Sequence, residues 1–371
     1  MSLKIESITL ERFRAFRELT IHGLGRVNLI TGKNNTGKSS VLEGLRILAN
    51  NAAPDVIYDI IRRREENIEG AEEEEHPADP DSLFQVSGLF HGFPLPSENP
   101  SPIAISTSGK SSPMSMTIRL DWLSEQLDSD GEYRLLPLGK PDLDGGIAAL
   151  IVETQDITKA HRLDRFGRYP HPMHRARFES SNRTRMSCVF VSPYSGESTG
   201  VLGPLWDKIA LSDREKDVVE GLRIIDPQIS AVSMVGSTRR KLTAIVRAGN
   251  IVRPIPLRSF GDGLNRLFGI ILSLVNARGG LLLVDEFENG LHHTVQLDVW
   301  RTIFRLAQTL DIQVFATSHS WDAVEAFQEA ADEASEEGAL IRLARKGEDI
   351  IPTVLSENEL AIATRDEIEV R

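Results

Sequence analysis

The spacing of apolar residues changes period several times along the chain, and each change predicts an element. Ile5, Ile8 and Leu10, then Leu19 and Ile21, read as strands, followed by a short, largely apolar strand over residues 27–31. Residues 38–50 carry apolar side chains at helical spacing, and 56–64 resume it after Pro54. Residues 82–91, 103–106, 116–120 and 148–153 read as strands separated by Pro-, Ser- and Gly-rich turns. The best helical pattern of the middle runs over 205–225, with Ser212-Asp213-Arg214-Glu215 as a start-cap box, and strands at 229–235 and 241–246 follow. Leu267, Phe268, Ile270, Ile271 and Leu274 mark another helix. Residues 280–284 are continuously apolar, as a strand buried on both faces requires, and 311–317 read as another strand. A helix at 321–334 and paired strands at 340–343 and 350–354 complete the reading. No heptad repeat is sustained over three or four turns of the pattern within 50–250, so no long coiled coil is expected.

The turn after the 27–31 strand is Gly32-Lys33-Asn34-Asn35-Thr36-Gly37-Lys38-Ser39-Ser40, a complete Gly-x-x-x-x-Gly-Lys-Ser phosphate loop between a strand and a helix. Gly32 and Gly37 let the backbone curl so that successive N–H groups point inward at a β-phosphate, and the positive end of the helix adds to that field. Lys38 brings a point charge to the β- and γ-phosphates, and the Ser39 hydroxyl suits Mg²⁺. This pattern predicts ATP as substrate and Mg²⁺ as cofactor.

More than two hundred residues later, the 280–284 strand delivers Asp285 and Glu286 at its end, where open α/β sheets place ligand chemistry. Asp285 is expected to hold Mg²⁺, directly or through water, and Glu286 to act as the general base on the attacking water. The 311–317 strand ends in Ser318-His319-Ser320, which puts His319 one strand away, within reach of the γ-phosphate. Between the two halves, Ser259-Phe260-Gly261-Asp262-Gly263-Leu264 opens the 267–274 helix. Backbone N–H groups at such a helix start bind an anion.

The order of phosphate loop, Gly-rich turn, acidic strand and histidine strand resembles the soluble ATP-binding-cassette ATPases, the branch of chromosome-maintenance, recombination-repair and OLD-like heads. Ile5-x-x-Ile8-x-Leu10-x-x-Phe13-Arg14-x-Phe16 resembles its first strand and turn, and Asn289-Gly290-Leu291-His292 its loop after the acidic strand. The likeness is strong over residues 1–50 and 250–330. It implies an α/β fold of the P-loop head type: a mixed sheet flanked by helices, an antiparallel β lobe and an inserted helical region. One head would span 1–371, with its nucleotide core from 1–50 and 250–330, an insertion at 51–249 and a tail at 331–371. The resemblance implies that Arg14 contacts ATP and that Gln85 is the Mg²⁺- and water-sensing glutamine. It also implies that Ser259, Gly261, Asp262 and Gly263 close over the γ-phosphate of a second subunit, in a homodimer or larger oligomer. Gly261 stands where transporter signatures carry a serine. The implied role is an ATP-driven switch in DNA transactions or phage defence. The tail is too short for the nuclease domain of full-length OLD proteins, so any nuclease or other effector is expected on a separate chain. The alternative is a nucleotide-gated scaffold that holds and releases a partner protein, with hydrolysis as a timer.

Composition narrows this further. The 371 residues carry a net charge of −12, which argues against a surface that is a nucleic-acid glove throughout. Glu65 to Asp81 holds nine acids and no Lys or Arg, and reads as a solvated loop. His161 to Arg185 is the reverse, seven arginines against two acids with Phe166, Tyr169 and Phe178 interleaved. That mixture suits nucleic acid, an acidic protein or self contact, and plain solvation equally. A single cysteine, Cys188, excludes an intrachain disulfide, and no apolar stretch reaches the length of a membrane span. With no secretory leader pattern at the N-terminus, a cytoplasmic protein is expected.

Overall fold

The computed structural model describes residues 3–65, 86–94, 100–109, 113–127, 133–138, 146–163, 186–193, 199–236, 242–249, 253–334, 338–355 and 359. Strands β1 (Ser7–Phe13) and β2 (Phe16–His22) form a hairpin, and β3 (Val27–Gly32) leads into helices α1 (Lys38–Ala49) and α2 (Pro54–Glu65). Then come β4 (Ile103–Ser108), β5 (Ser115–Leu127), β6 (Tyr133–Pro137), β7 (Ile147–Thr154), β8 (Thr158–Arg162) and β9 (Cys188–Val191). Helices α3 (Thr199–Asp207) and α4 (Arg214–Leu222) precede β10 (Ile229–Gly236), β11 (Leu242–Ala248) and β12 (Ile255–Pro256). The last third holds α5 (Asp262–Asn276), β13 (Leu281–Val284), α6 (His293–Thr309), β14 (Gln313–Thr317), α7 (Trp321–Glu333), β15 (Gly338–Lys346) and β16 (Asp349–Leu355).

The central sheet has the order β16-β15-β3-β14-β13-β9, parallel except for β16 at one edge. Its inner strands are apolar on both sides because both sides are covered. Val27, Leu29, Leu282, Val284, Val314 and Ala316 face one core, shared with α3 to α7. Ile30, Leu281, Leu283 and Phe315 face the other, shared with α1, α2 and the antiparallel lobe. Each such Leu, Ile or Val contributes about 1.5–3 kcal/mol by leaving water. The lobe is an antiparallel sheet of order β2-β1-β4-β5-β7-β8, with β6 on β5. A mixed α/β head with sheets flanked by helices is therefore the fold, as expected.

Parallel pairing sets the site. Val284 lies opposite Ala316, and Thr317 opposite Ile30, so β3, β14 and β13 end at one edge. The register of β13 depends on Gly280, where a Cβ would sit 1.9 Å from the Ser187 carbonyl oxygen. Gly280→Ala is expected to destabilise the protein by about 1–3 kcal/mol, the scale of overpacking, read as a lowered urea midpoint at unchanged m-value.

Two sequence expectations are corrected. The 205–225 pattern is two helices. Ser212 Oγ donates to the Ile209 carbonyl, a local bond that competes with helix, and Leu211 takes φ 62° at 99% exposure. The start-cap box does not form: Asp213 stands at the cap of α4 without a side-chain capping bond, its Oδ1 accepting from Lys216 at 2.9 Å instead, and Glu215 accepts the Leu211 N–H at 3.1 Å. Residues 86–91 are not a strand. Leu89 N–H bonds Val86 and Phe90 N–H bonds Ser87 in helical turns, and only Phe90 bridges a strand, at Phe13. Val86, Leu89 and Phe90 are spaced as one face of a helix, a pattern too short to separate from a strand by eye.

Candidate functional site

The phosphate loop leaves β3 through two glycines that no other residue fits. Gly32 has φ 142° and its Cβ would meet the Leu343 carbonyl oxygen at 2.4 Å; Gly37 has φ 84° and its Cβ would meet the Phe16 ring at 2.5 Å. The loop is thus pressed between β15 and the β1–β2 hairpin while α1 starts at Lys38. Lys33, Asn34 and Asn35 are exposed, whereas Thr36 and Ser40 are buried. Thr36 Oγ1 donates to the Lys33 carbonyl at 2.9 Å, and Arg345 donates to the Asn35 carbonyl at 3.2 Å. Lys38 Nζ donates to the carbonyls of Gly32 at 2.8 Å and Lys33 at 3.1 Å. Burial lowers the Lys38 ammonium's pKa, against the opposing pull of Asp285, Glu286 and Glu288. Three carboxylates therefore surround one lysine.

The structure brings the distant acidic strand to this loop. Ser39 Oγ donates to Asp285 Oδ1 at 3.0 Å across a sequence separation of 246 residues. Thr317 Oγ1 donates to the same oxygen at 2.6 Å and accepts the Glu286 N–H at 2.9 Å. Burial raises the Asp285 carboxyl's pKa; the Thr317 and Ser39 hydrogen bonds oppose that, and Glu286 and Glu43 add to it. Glu286 takes φ 47°, an uncommon conformation for a residue with a side chain, and its carboxylate accepts from Asn289 Nδ2 at 2.5 Å. Arg266, 2% exposed on α5, donates to the carbonyls of Ser192, Asp285 at 2.9 Å and Glu286 at 3.1 Å. That guanidinium ties the helix of the Gly-rich turn to the backbone of the acidic pair.

His319 follows β14 and pairs through Nδ1 with Glu288 at 2.9 Å. Arg14 is buried and directed at α1, donating to Glu43 at 3.1 Å and to the Gly88 carbonyl at 2.9 Å. Arg64 holds the same Glu43 at 2.9 Å and donates to Ser40 Oγ at 3.1 Å, so two arginines brace the first turns of α1. Gln85 lies outside the described residues, as do residues 164–185 of the arginine-rich stretch and 66–81 of the acidic one. Burial pushes the Cys188 thiol up to about 12, which leaves it unreactive at neutral pH.

The Gly-rich turn stands apart from the phosphate loop. Ser259 lies in a 3₁₀ turn (Leu257–Phe260), Gly261 has φ 100°, and Asp262 and Gly263 begin α5; Ser259, Gly261 and Asp262 are exposed. Among the described residues no hydrogen bond joins this turn to residues 32–40. Helix α5 packs on one face of the central sheet and α1 on the other. A Cβ on Gly263 would lie 3.0 Å from the Gly290 carbonyl, so the turn abuts the loop after β13.

Sequence reasoning missed Glu288, Thr317, Asn289 and Arg266 as parts of this cluster. Glu288 and Asn289 lie in the acidic turn and Thr317 two residues before His319, so proximity in sequence was available for all three. For Arg266 the signal was a charge inside an apolar helical stripe, between Leu264 and Leu267.

Comparison with known proteins agrees with this geometry. Residues 3–112 match the family model described as "AAA ATPase domain", and residues 202–324 match the model described as "AAA domain, putative AbiEii toxin, Type IV TA system". An "ATP/GTP phosphatase" of Helicobacter pylori is 24% identical over 344 residues, covering 86% of each chain. Two solved structures share the fold. One is an Smc head bound to the C-terminal winged-helix domain of ScpA (TM-score 0.50, 10% identity, covering 95% of this chain and 97% of that one). The other is a Pyrococcus furiosus Smc head with an extended coiled coil, bound to the C-terminal domain of ScpA (TM-score 0.50, 11% identity, covering 99% and 100%). No helix among the described residues is long and apolar enough to cross a membrane.

Proposed function

We propose that this chain, an ATPase of the AAA/ABC type with the fold of the SMC heads, hydrolyses ATP at a composite site and uses the cycle as a conformational switch. The observation that carries the reading is the 3.0 Å bond between Ser39 and Asp285, which joins the phosphate loop to the acidic strand. Residues 32–40 cradle the triphosphate through their N–H groups, with Lys38 on the β- and γ-phosphates.

Mg²⁺ fits this donor set. Ser39 Oγ and Asp285 Oδ1 are hard oxygens at the separation of neighbouring ligands, and Mg²⁺ commonly takes few protein ligands beside phosphates and waters. Among the described residues no group of three or more His, Cys, Asp or Glu could form a cage by itself, which agrees with phosphate oxygens sharing the coordination. When bound, the ion neutralises phosphate charge in a region where Asp285, Glu286 and Glu288 all act on Lys38. Glu286 takes a proton from the attacking water, and His319 senses the γ-phosphate. Catalysis is positioning and charge stabilisation, as phosphoryl transfer requires.

The Gly-rich turn completes the site of a second copy. Within one chain it belongs to the helix on the opposite face of the sheet from α1, its Ser259, Gly261 and Asp262 are exposed, and N–H groups at a helix start bind an anion. ATP then drives association of two heads and ADP does not, because the γ-phosphate is the anion the turn binds. Light scattering of Glu286→Gln with ATP against ADP tests this; equal mass in both rejects it. Ser259→Glu places a carboxylate on the exposed turn and is expected to leave ATP affinity unchanged while lowering hydrolysis at least about tenfold by like-charge repulsion. Normal hydrolysis would remove the composite site from consideration. Gly263→Arg is a poorer probe, since its Cβ already crowds Gly290 within the same chain.

The resemblance to OLD-like and chromosome-maintenance heads supports work in DNA transactions or phage defence through a separate effector, a nuclease among the candidates. A steady-state ATPase assay with and without DNA decides it, with a GTP arm because the Helicobacter pylori relative is named for both nucleotides. A second reading, a scaffold with hydrolysis only as a timer, is favoured by one contact: the Glu286 carboxylate is engaged by Asn289 at 2.5 Å within the chain. Negligible turnover together with ATP-dependent partner capture would select it.

A further inference from the structure

We infer that Glu288 is the positioning residue of the His319 imidazole, a role that rests on the reading of His319 given above. Glu288 Oε1 accepts the main-chain N–H of that residue at 2.9 Å and lies 2.9 Å from its ring Nδ1. The two side chains differ in exposure, 10% for Glu288 and 52% for His319. A fixed carboxylate thus holds an open ring.

The chemistry follows from the imidazole. With Nδ1 carrying the proton donated to Glu288, the ring is held in one tautomer and Nε2, on its opposite edge, is the nitrogen presented to a ligand. A simple brace would not require a carboxylate here, since a neutral acceptor satisfies a main-chain N–H. Glu288 is kept at a cost: its Oε2 is buried without a hydrogen-bond partner, a penalty that calls for a compensating role. The same side chain acts electrostatically on Lys38, so one carboxylate bears on both the lysine of the phosphate loop and the histidine that follows β14.

The test is a double-mutant cycle on the full chain with ATP and Mg²⁺. Glu288→Ala is expected to lower kcat by about 10–100-fold, the scale for losing the group that orients a working histidine, and to leave ATP Kd within about threefold. In the His319→Ala background the same change should add nothing. Losses that multiply in the double variant overturn the proposal, as does a fall in affinity matching the fall in kcat. Glu288→Gln keeps an acceptor oxygen for the main-chain N–H and for the ring and is expected to stay within about tenfold of wild type, and it serves if the alanine variant folds poorly. ¹⁵N spectra of histidine-labelled protein, assigned with His319→Gln, supply the second readout. The Nδ1–H tautomer of His319 should persist in wild type and Glu288→Gln and be lost in Glu288→Ala. An unchanged tautomer in Glu288→Ala overturns the proposal. If His319→Ala hydrolyses normally, the role of His319 fails instead, and the tautomer still decides whether Glu288 positions the ring.

Discussion

Glu286→Gln is expected to bind ATP with wild-type affinity and to hydrolyse it about 10²–10⁴ times more slowly, the range for loss of a general base. The amide is close to isosteric with the carboxylate, and the backbone that presents it is held independently of that side chain. The Glu286 N–H is bonded to Thr317 at 2.9 Å and its carbonyl accepts from Arg266 at 3.1 Å. These bonds keep the position at φ 47°, so the substitution removes proton affinity without releasing the backbone. Single-turnover hydrolysis and calorimetry on the same preparation separate the two effects. A variant that turns over normally would move water activation elsewhere, with Glu288 the nearest remaining carboxylate to examine.

Lys38→Ala is expected to weaken ATP binding by about 10²–10³-fold or more. A charge pair at 4 Å contributes roughly 4 kcal/mol at the effective dielectric of a protein surface, equivalent to about three powers of ten. The local charge makes the loss worse. Asp285, Glu286 and Glu288 all act on Lys38, so its removal leaves carboxylates facing phosphates. Calorimetric titration gives the affinity, and a thermal melt checks that loss of the bonds to Gly32 and Lys33 has not unfolded the loop. Near-wild-type affinity would reject the phosphate-loop assignment.

Both predictions concern residues visible in the chain before any fold was known, and the reason is local. A phosphate loop is short-range geometry: Gly32 and Gly37 are where the backbone needs positive φ and close packing, and the helix starts one residue after the second glycine. The three central strands were equally plain, because a strand buried on both faces is largely apolar, even though β3 and β14 also bury Asn28, Thr31, Gln313 and Thr317. The middle of the chain was less legible. At 205–225 an apolar period continued across a point where Ser212 and Leu211 turn the backbone, and at 86–91 six residues were too few to distinguish a helical turn from a strand.

By itself the sequence determined most of the strands and helices in order, the phosphate loop, the acidic pair at a strand end and the nucleotide chemistry they imply, since each is written in consecutive residues, while the mixed α/β head came from the resemblance those motifs carry. The tertiary structure alone decided which side chains meet across the sheet. Thr317 reaches Asp285 because β14 lies beside β13, Glu288 reaches His319 across the same pair of strands, and Arg266 reaches the acidic pair because α5 packs on that sheet. It also turned Arg14, which the resemblance assigns to ATP, onto Glu43 of α1. Such contacts depend on strand order and helix docking, which pack residues 20 to 300 apart and which no run of neighbouring residues encodes.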